Sequence, residues 1–272
     1  LPDSVTTLGN AAFTGSGKMT SLKLSAGLTA IPDAAFSAGP VADMKLTSVE
    51  IPEGVKTIGR NAFNGAHVEK LTLPGTLTSI GQTAFQNHQL TELEIPGNVT
   101  SIGKQAFKLT QENLAKKITK LTLNEGLETI GQEAFAGNSI TTVDLPSTVT
   151  LSHTGKNADL IFGTSTKAAE PIVIVKVAEK SKADEWNTDR ANAKSHKVVY
   201  DKFVGSGWTA DDFTYDGTTI TGWSESGQAK RKNLKTLVLP DQTPDGQDIT
   251  AIGAGAFKIP DDEVEITKFG VN

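Results

Sequence analysis

Few residues in this chain are suited to chemistry, and they are scattered. Four histidines, His67, His88, His153 and His196, are the side chains best suited to proton transfer or zinc ligation, and they fall in different segments. His67 and His88 sit at similar phases of a recurring pattern. Stacked units would make them surface neighbours, an arrangement that permits a weak metal site but reads first as two unrelated solvated side chains. The loop Asp241 to Asp248 carries carboxylates in loose calcium-loop order. Its twelfth position, where a bidentate Glu is wanted, is Ile252, so it reads as a polar turn. Lys230-Arg231-Lys232 supplies too few charges for strong phosphate binding and reads as a solvated loop. Gly253-Ala254-Gly255 lacks the strand-to-helix setting of a phosphate cradle. Trp208, Tyr215 and Trp223 form the one aromatic group able to stack on a glycan, with packing against a neighbouring segment as the competing reading. There is no cysteine, so thiolate metal sites and disulfides are excluded. No catalytic set, metal site or cofactor motif emerges, and an enzyme is the least favoured class.

The polar residues gain meaning from the pattern that positions them. Phe63, Phe85 and Phe107 stand 22 residues apart, and after each the apolar residues recur at fixed offsets. They are Val68, Leu71, Leu73, Leu77 and Ile80 in one unit, then Leu90, Leu93, Ile95, Val99 and Ile102 in the next. A period of about 20–29 residues with a Leu-rich strand per unit is the signature of a leucine-rich repeat solenoid, whose units bury their apolar faces only against each other. The predicted fold is a right-handed α/β superhelix, strand-rich with short helical turns. Leu-x-Leu-Pro alternates and predicts a short strand with Leu inward, stopped by Pro74, Pro96 or Pro146. Thr-x-Ile-Gly predicts a second extended piece, and Gly81, Gly103 and Gly131 are expected to adopt a backbone conformation awkward for other residues. In the closing Ala-Phe pair, Ala lets backbones approach and Phe fills the core.

Extra residues cluster after Phe36 and Phe107, which marks one tolerant corner; Gln111 to Lys117 predicts an added helical turn. Residues 1–170 read as a first array, ending at a weak match around Ile161-Phe162. Residues 171–202 read as a cap, with a strand Ile172 to Val175, a helix Ser181 to Arg190 bearing Trp186, and a strand Val198 to Tyr200. Residues 203–272 read as a hairpin turning at Asp216-Gly217 and the start of a second array. The final Ile266 to Asn272 lines up with Ile118 to Asn124. The chain opens at Leu1, inside a repeat, and is expected to be a fragment.

The net charge of −5 argues against a nucleic-acid binder. No apolar run reaches the ~20 residues of a membrane span. What remains is the outward face of the strands. One column holds Lys23, Glu50, Thr72, Glu94, Thr122 and Asp144; the adjoining one includes Lys70, Glu92 and Lys120. Both are polar, without aromatics, and suit electrostatically selective recognition of a protein, with ordinary solvated strand residues as the competing reading.

Leu-x-Leu-Pro, then Val/Leu-Thr-x-Ile-Gly, then Ala-Phe closely resembles the BspA-like leucine-rich repeats of bacterial surface proteins. The resemblance covers Leu1 to Phe162 and Leu234 to Asn272, and the Asp-Phe-x-Tyr-Asp-Gly hairpin at Asp212 to Gly217 is similar as well. The family often has Cys three residues after the Phe, where this chain has Ala66, His88 and Asn138. The resemblance implies a secreted or wall-attached bacterial protein, an extracellular protein partner such as a host matrix or microbial surface protein, and no catalytic residues. The alternative it leaves is a carbohydrate-binding or spacer module of a larger wall-attached protein.

Overall fold

The Ala-Phe pairs recur because each coil is tied to the next at that corner. The computed structural model describes residues 1–39, 44–110, 116–150, 161–163, 173–178, 196–200, 208–231, 236–240, 243–245, 247–257 and 268–270. The chain falls into two compact units, Leu1–Val199 and Tyr200–Asn272. The first is a strand-rich solenoid of about six turns.

Two sets of strands alternate along it. The Thr-x-Ile segments supply β1 (Ala30–Ile31), β3 (Thr57–Ile58), β5 (Ser79–Ile80), β7 (Ser101–Ile102) and β9 (Thr129–Ile130). These form one unbroken parallel sheet in the order β1-β3-β5-β7-β9, with Ile58, Ile80, Ile102 and Ile130 in register. The Leu-x-Leu segments supply β2 (Val49–Glu50), β4 (Leu71–Thr72), β6 (Glu92–Ile95), β8 (Lys120–Leu123) and β10 (Thr142–Leu145). Here the pairing is interrupted: β2 pairs only with β4, β6 with β8, and β10 with β11 (Val173–Val177), which β12 (His196–Tyr200) extends. In β6, β8 and β10 the inward residues are buried and the outward ones exposed, as the alternation predicts.

The core is a column of rings. Phe13, Phe36, Phe63, Phe85, Phe107, Phe135 and Phe162 stack in sequence at centroid spacings of 5.1–5.9 Å. Beside them runs a backbone ladder. The N–H of Phe63 donates to the Ala84 carbonyl at 2.7 Å, that of Phe85 to Ala106 and that of Phe107 to Ala134, both at 2.8 Å. These donors point to the next coil instead of back along their own, so the corners are turns, and no helix occurs among the described residues of this unit. The predicted helical turn at Gln111 to Lys117 and the cap helix with Trp186 lie outside the described residues.

The position two residues before each of the first six Phe of the column is left-handed. Ala11, Ala34, Asn61, Thr83, Gln105 and Glu133 all have φ between 55° and 58°. The expectation for Gly81, Gly103 and Gly131 is therefore corrected: none has positive φ. Their lack of a side chain matters for another reason. A Cβ on Gly103 would lie 2.5 Å from the Gln82 nitrogen, and one on Gly131 2.3 Å from the Lys104 nitrogen. These glycines let successive backbones touch. Gly103→Ala is expected to cost about 1–3 kcal/mol, as an overpacked core does. Gly75→Ala, whose Cβ would meet nothing within 4 Å, is expected to be near neutral. Urea denaturation of the two variants checks this, and equal midpoints would contradict it.

The second unit contains the predicted hairpin. β13 (Phe213–Asp216) and β14 (Thr219–Trp223) pair antiparallel around Gly217, whose φ is 57°. β16 (Ala251–Ile252) joins β14 in parallel, and β15 (Thr236–Val238) pairs in parallel with β17 (Lys268–Gly270). The Asp212 carboxylate is buried and accepts hydrogen bonds from Thr209 N–H at 2.7 Å, Ser226 Oγ at 2.7 Å and Lys230 Nζ at 2.7 Å. These bonds hold its carboxyl below the usual range against the opposing effect of burial. Lys230 and Arg231 lie in the last turn of a helix, Glu225–Arg231, and not in a free loop, and Lys230 neutralises Asp212; Lys232 lies outside the described residues.

Candidate binding surface

The strand face carries the predicted columns, and its charges pair along the solenoid axis. Lys23, Glu50, Thr72, Glu94, Thr122 and Asp144 are exposed, as are Lys70, Glu92 and Lys120. Lys23 precedes the first regular strand of this set and sits in irregular backbone. The parallel register places Glu92 opposite Lys120, Glu94 opposite Thr122 and Asp144 opposite Lys176. Glu92 and Lys120 approach to 3.9 Å while remaining over 70% exposed, a pair that contributes little to stability. Glu94 accepts a hydrogen bond from Asn124 Nδ2 at 3.2 Å.

The ladder of this face is broken between β4 and β6 and again between β8 and β10, and the first of these breaks opens into a cleft. Coils on either side of the first break are bonded before it, Gln89 N–H to the Val68 carbonyl at 2.8 Å, and after it, Thr100 N–H to the Thr78 carbonyl at 2.9 Å. Between these bonds lies the cleft, of about 440 Å³, with Lys70 and Leu71 on the β4 side, Leu93 and Glu94 on the β6 side, and Glu92 and Lys120 at its rim. Leu71 is only half-buried, as is Leu73, whereas Leu93, Ile95, Leu121 and Leu123 at the same phases are buried. One edge of the cleft is pinned by Lys116, which emerges from the insertion after Phe107 and reaches Glu69, 47 residues earlier, at 2.7 Å.

The histidines separate. His88 is 1% exposed and belongs to the core, so it is not a surface neighbour of His67. Its ring fills the position three residues after Phe85, where Ala66 and Asn138 stand in other coils. Leu90 N–H donates to its Nδ1 at 3.0 Å, so the proton resides on Nε2 and points to the Phe107 carbonyl at 3.2 Å. Burial lowers its pKa to about 4, the Phe107 bond opposing weakly. His67 lies one position further along its coil, half-buried with φ of 48°, its pKa lowered by burial and then by Lys45. His153 and the His196 side chain lie outside the described residues. Among the described residues no group of three His, Asp or Glu is placed to hold a metal.

The aromatic alternative is corrected at its centre. Trp208 is 1% exposed, packed on Phe213 at 5.8 Å and Trp223 at 5.2 Å, and it offers no face to a sugar ring. Trp223 is half-buried and packs edge-on against Phe257 at 4.9 Å, while the Tyr215 hydroxyl donates to the Ala210 carbonyl at 2.6 Å. Trp208 belongs to the buried core of the second unit, and the half-buried Tyr215 and Trp223 pack against that core. In the loop at 241–248, the Thr243 hydroxyl donates to Asp245 and accepts from Gln247 N–H at 3.0 Å, which closes a polar turn.

The corner ladder, ring column and strand alternation match one repeat class. The sequence profile of the BspA-type leucine-rich repeat region fits in six copies over residues 1–42 and 41–158. The chain belongs to the BspA-type leucine-rich repeat family. Repeats of this family are generally non-enzymatic scaffolds and protein-interaction modules. Among solved structures, the chain is similar to a leucine-rich repeat protein from Bacteroides ovatus, with 28% identity, a TM-score of 0.46 and coverage of 64% of this chain and 37% of that one. It is also similar to the pneumococcal vaccine antigen PcpA, with 21% identity, a TM-score of 0.48 and coverage of 67% and 42%. The chain thus spans less than half the length of either. No match was found among curated proteins. Among the described residues, no helix of this BspA-type chain is long and apolar enough to cross a membrane.

Proposed function

We propose that this protein is a non-enzymatic recognition module that works at the bacterial surface or after secretion, binding a protein partner through the strand face of its first unit. The observation that supports this reading most is the cleft between β4 and β6, which interrupts a polar, charge-patterned surface just where apolar Leu71 is half-exposed. A polar face that carries both acidic and basic side chains selects partners by charge complementarity, and an apolar recess supplies the desolvated contact that gives affinity. In the same reading, residues 171–202 cap the array and residues 203–272 begin another.

The test is a triple charge reversal, Glu50→Lys, Glu94→Lys and Asp144→Lys, measured by surface plasmon resonance against immobilised extracellular matrix and microbial surface proteins. The expected result is that a partner of the wild-type chain is bound at least about tenfold more weakly, ~1.4 kcal/mol, with an unchanged melting curve. Unchanged binding would remove the strand face from recognition.

A further inference from the structure

We propose that the cleft between β4 and β6 docks an extended peptide segment of a partner protein, one whose apolar side chain is flanked by an acidic and a basic residue. This rests on the strand-face reading and narrows it to one place and one class of ligand.

The backbone argues for a peptide. Across β2 and β4, inward residues donate to the following coil: Val49 N–H to the Lys70 carbonyl at 2.9 Å and Ile51 N–H to the Thr72 carbonyl at 3.0 Å. Leu71 and Leu73 occupy the same phase one coil later, and no ladder gives them acceptors on β6. Their N–H groups lie two residues apart on one strand edge, about 6.5 Å by strand geometry. An extended peptide repeats its carbonyls at that spacing, which is how free strand edges recruit partners. A glycan would need an aromatic platform, and none of the residues lining the cleft is aromatic.

The side chains define the peptide further. Glu69 is engaged by Lys116 and Glu92 by Lys120. Lys70 on one side and Glu94 on the other form no ion pair among the described residues. A ligand carboxylate fits the first and a ligand cation the second. Between them Leu71, with Leu93 below it, gives an apolar side chain its seat.

Two measurements test this. In the free protein, hydrogen exchange followed by NMR is expected to show the Leu71 and Leu73 amides exchanging at least about tenfold faster than those of Leu93 and Ile95, which lie within the β6–β8 ladder; comparable protection would overturn the proposal. In the second, a library of random decapeptides displayed on phage is selected on the wild-type chain and the enriched peptides are synthesised. Their affinity is expected to fall about tenfold or more on Glu94→Lys, on Lys70→Glu, and on replacement of alternate peptide amides by esters, whose carbonyls are weaker acceptors, ~1.4 kcal/mol each. Bound peptide is expected to slow exchange at Leu71 and Leu73. Failure of any peptide to enrich, binding to both charge variants as tight as to the wild type, or a glycan-array signal that Glu94→Lys abolishes would each overturn it. Glu50 and Asp144 lie outside the cleft and keep the broader reading separately testable. If reversing them weakens partner binding while no peptide engages the cleft, only this inference falls; if partner binding survives every reversal, both fall.

Discussion

Phe85→Ala is expected to destabilise the first unit by about 3–5 kcal/mol, the range for truncating a buried aromatic. Phe85 is fully buried, with Phe63 at 5.1 Å on one face and Phe107 at 5.3 Å on the other. Truncation leaves a void between two planar rings that are fixed by backbone bonds to their own neighbours, so the site collapses poorly. Phe85→Leu keeps most of the volume but loses two stacking contacts, each worth about 0.5–1.5 kcal/mol, and should fall between wild type and Phe85→Ala. Chemical denaturation of the three proteins measures the series. A midpoint for Phe85→Ala within error of wild type would show that the column is not the source of coil-to-coil stability.

The second large effect is acid lability seated at His88. In the unfolded chain its imidazole titrates near the ordinary value of 6.5, and in the folded one near 4. Above pH 6.5 both states carry the neutral ring and stability does not depend on this group. As the pH falls from 6.5 toward 4 the unfolded state gains a proton that the folded state refuses, so stability drops, and below about 4 the loss levels off. A displacement of this size corresponds to about 3 kcal/mol. Protonation would also put a hydrogen on Nδ1, facing the Leu90 N–H that donates to it. His88→Asn removes the titration and keeps a donor for the Phe107 carbonyl, which Asn138 Nδ2 already reaches at 2.9 Å. The variant's stability should fall less between pH 6.5 and 4. His67, lowered in the same direction, is left to titrate in both proteins. Parallel profiles for the variant and wild type would assign the acid response elsewhere.

The ring column and the alternation of β6, β8 and β10 were legible in the sequence because a fixed period leaves no other way to bury Phe and Leu. The role of the repeat glycine was not. Glycine at a close backbone approach and glycine at positive φ are the same letter, and the left-handed conformation fell to Thr83, Gln105 and Glu133, which nothing in their type announces. The two histidines illustrate a difference of one residue in phase: His67 stands four residues after its Phe and His88 three, at a position that Ala66 shows to face inward. The candidate columns follow from strand alternation, yet the cleft does not, since Leu71-Thr72-Leu73 and Leu121-Thr122-Leu123 are identical in sequence and both meet a break in the ladder, but only the leucines of the first are half-exposed. The hairpin tryptophans read as either platform or core, because the packing of Trp223 depends on Phe257, 34 residues onward.

The corner ladder uses no side-chain atoms, only the Phe N–H and the following Ala carbonyl. A coil can therefore be exchanged for another without altering how its neighbours dock. Excising residues 64–85 would join Phe63 to Gln86 and leave all later rings in step, whereas a cut that takes a Phe but leaves the rest of its coil would open a gap in the stack. Unequal recombination between the corresponding gene segments can thus lengthen or shorten the array in whole coils, and the products that fold are in-frame by construction. Losing this particular coil would also delete β4, so a change in length there is at once a change in what the surface can hold.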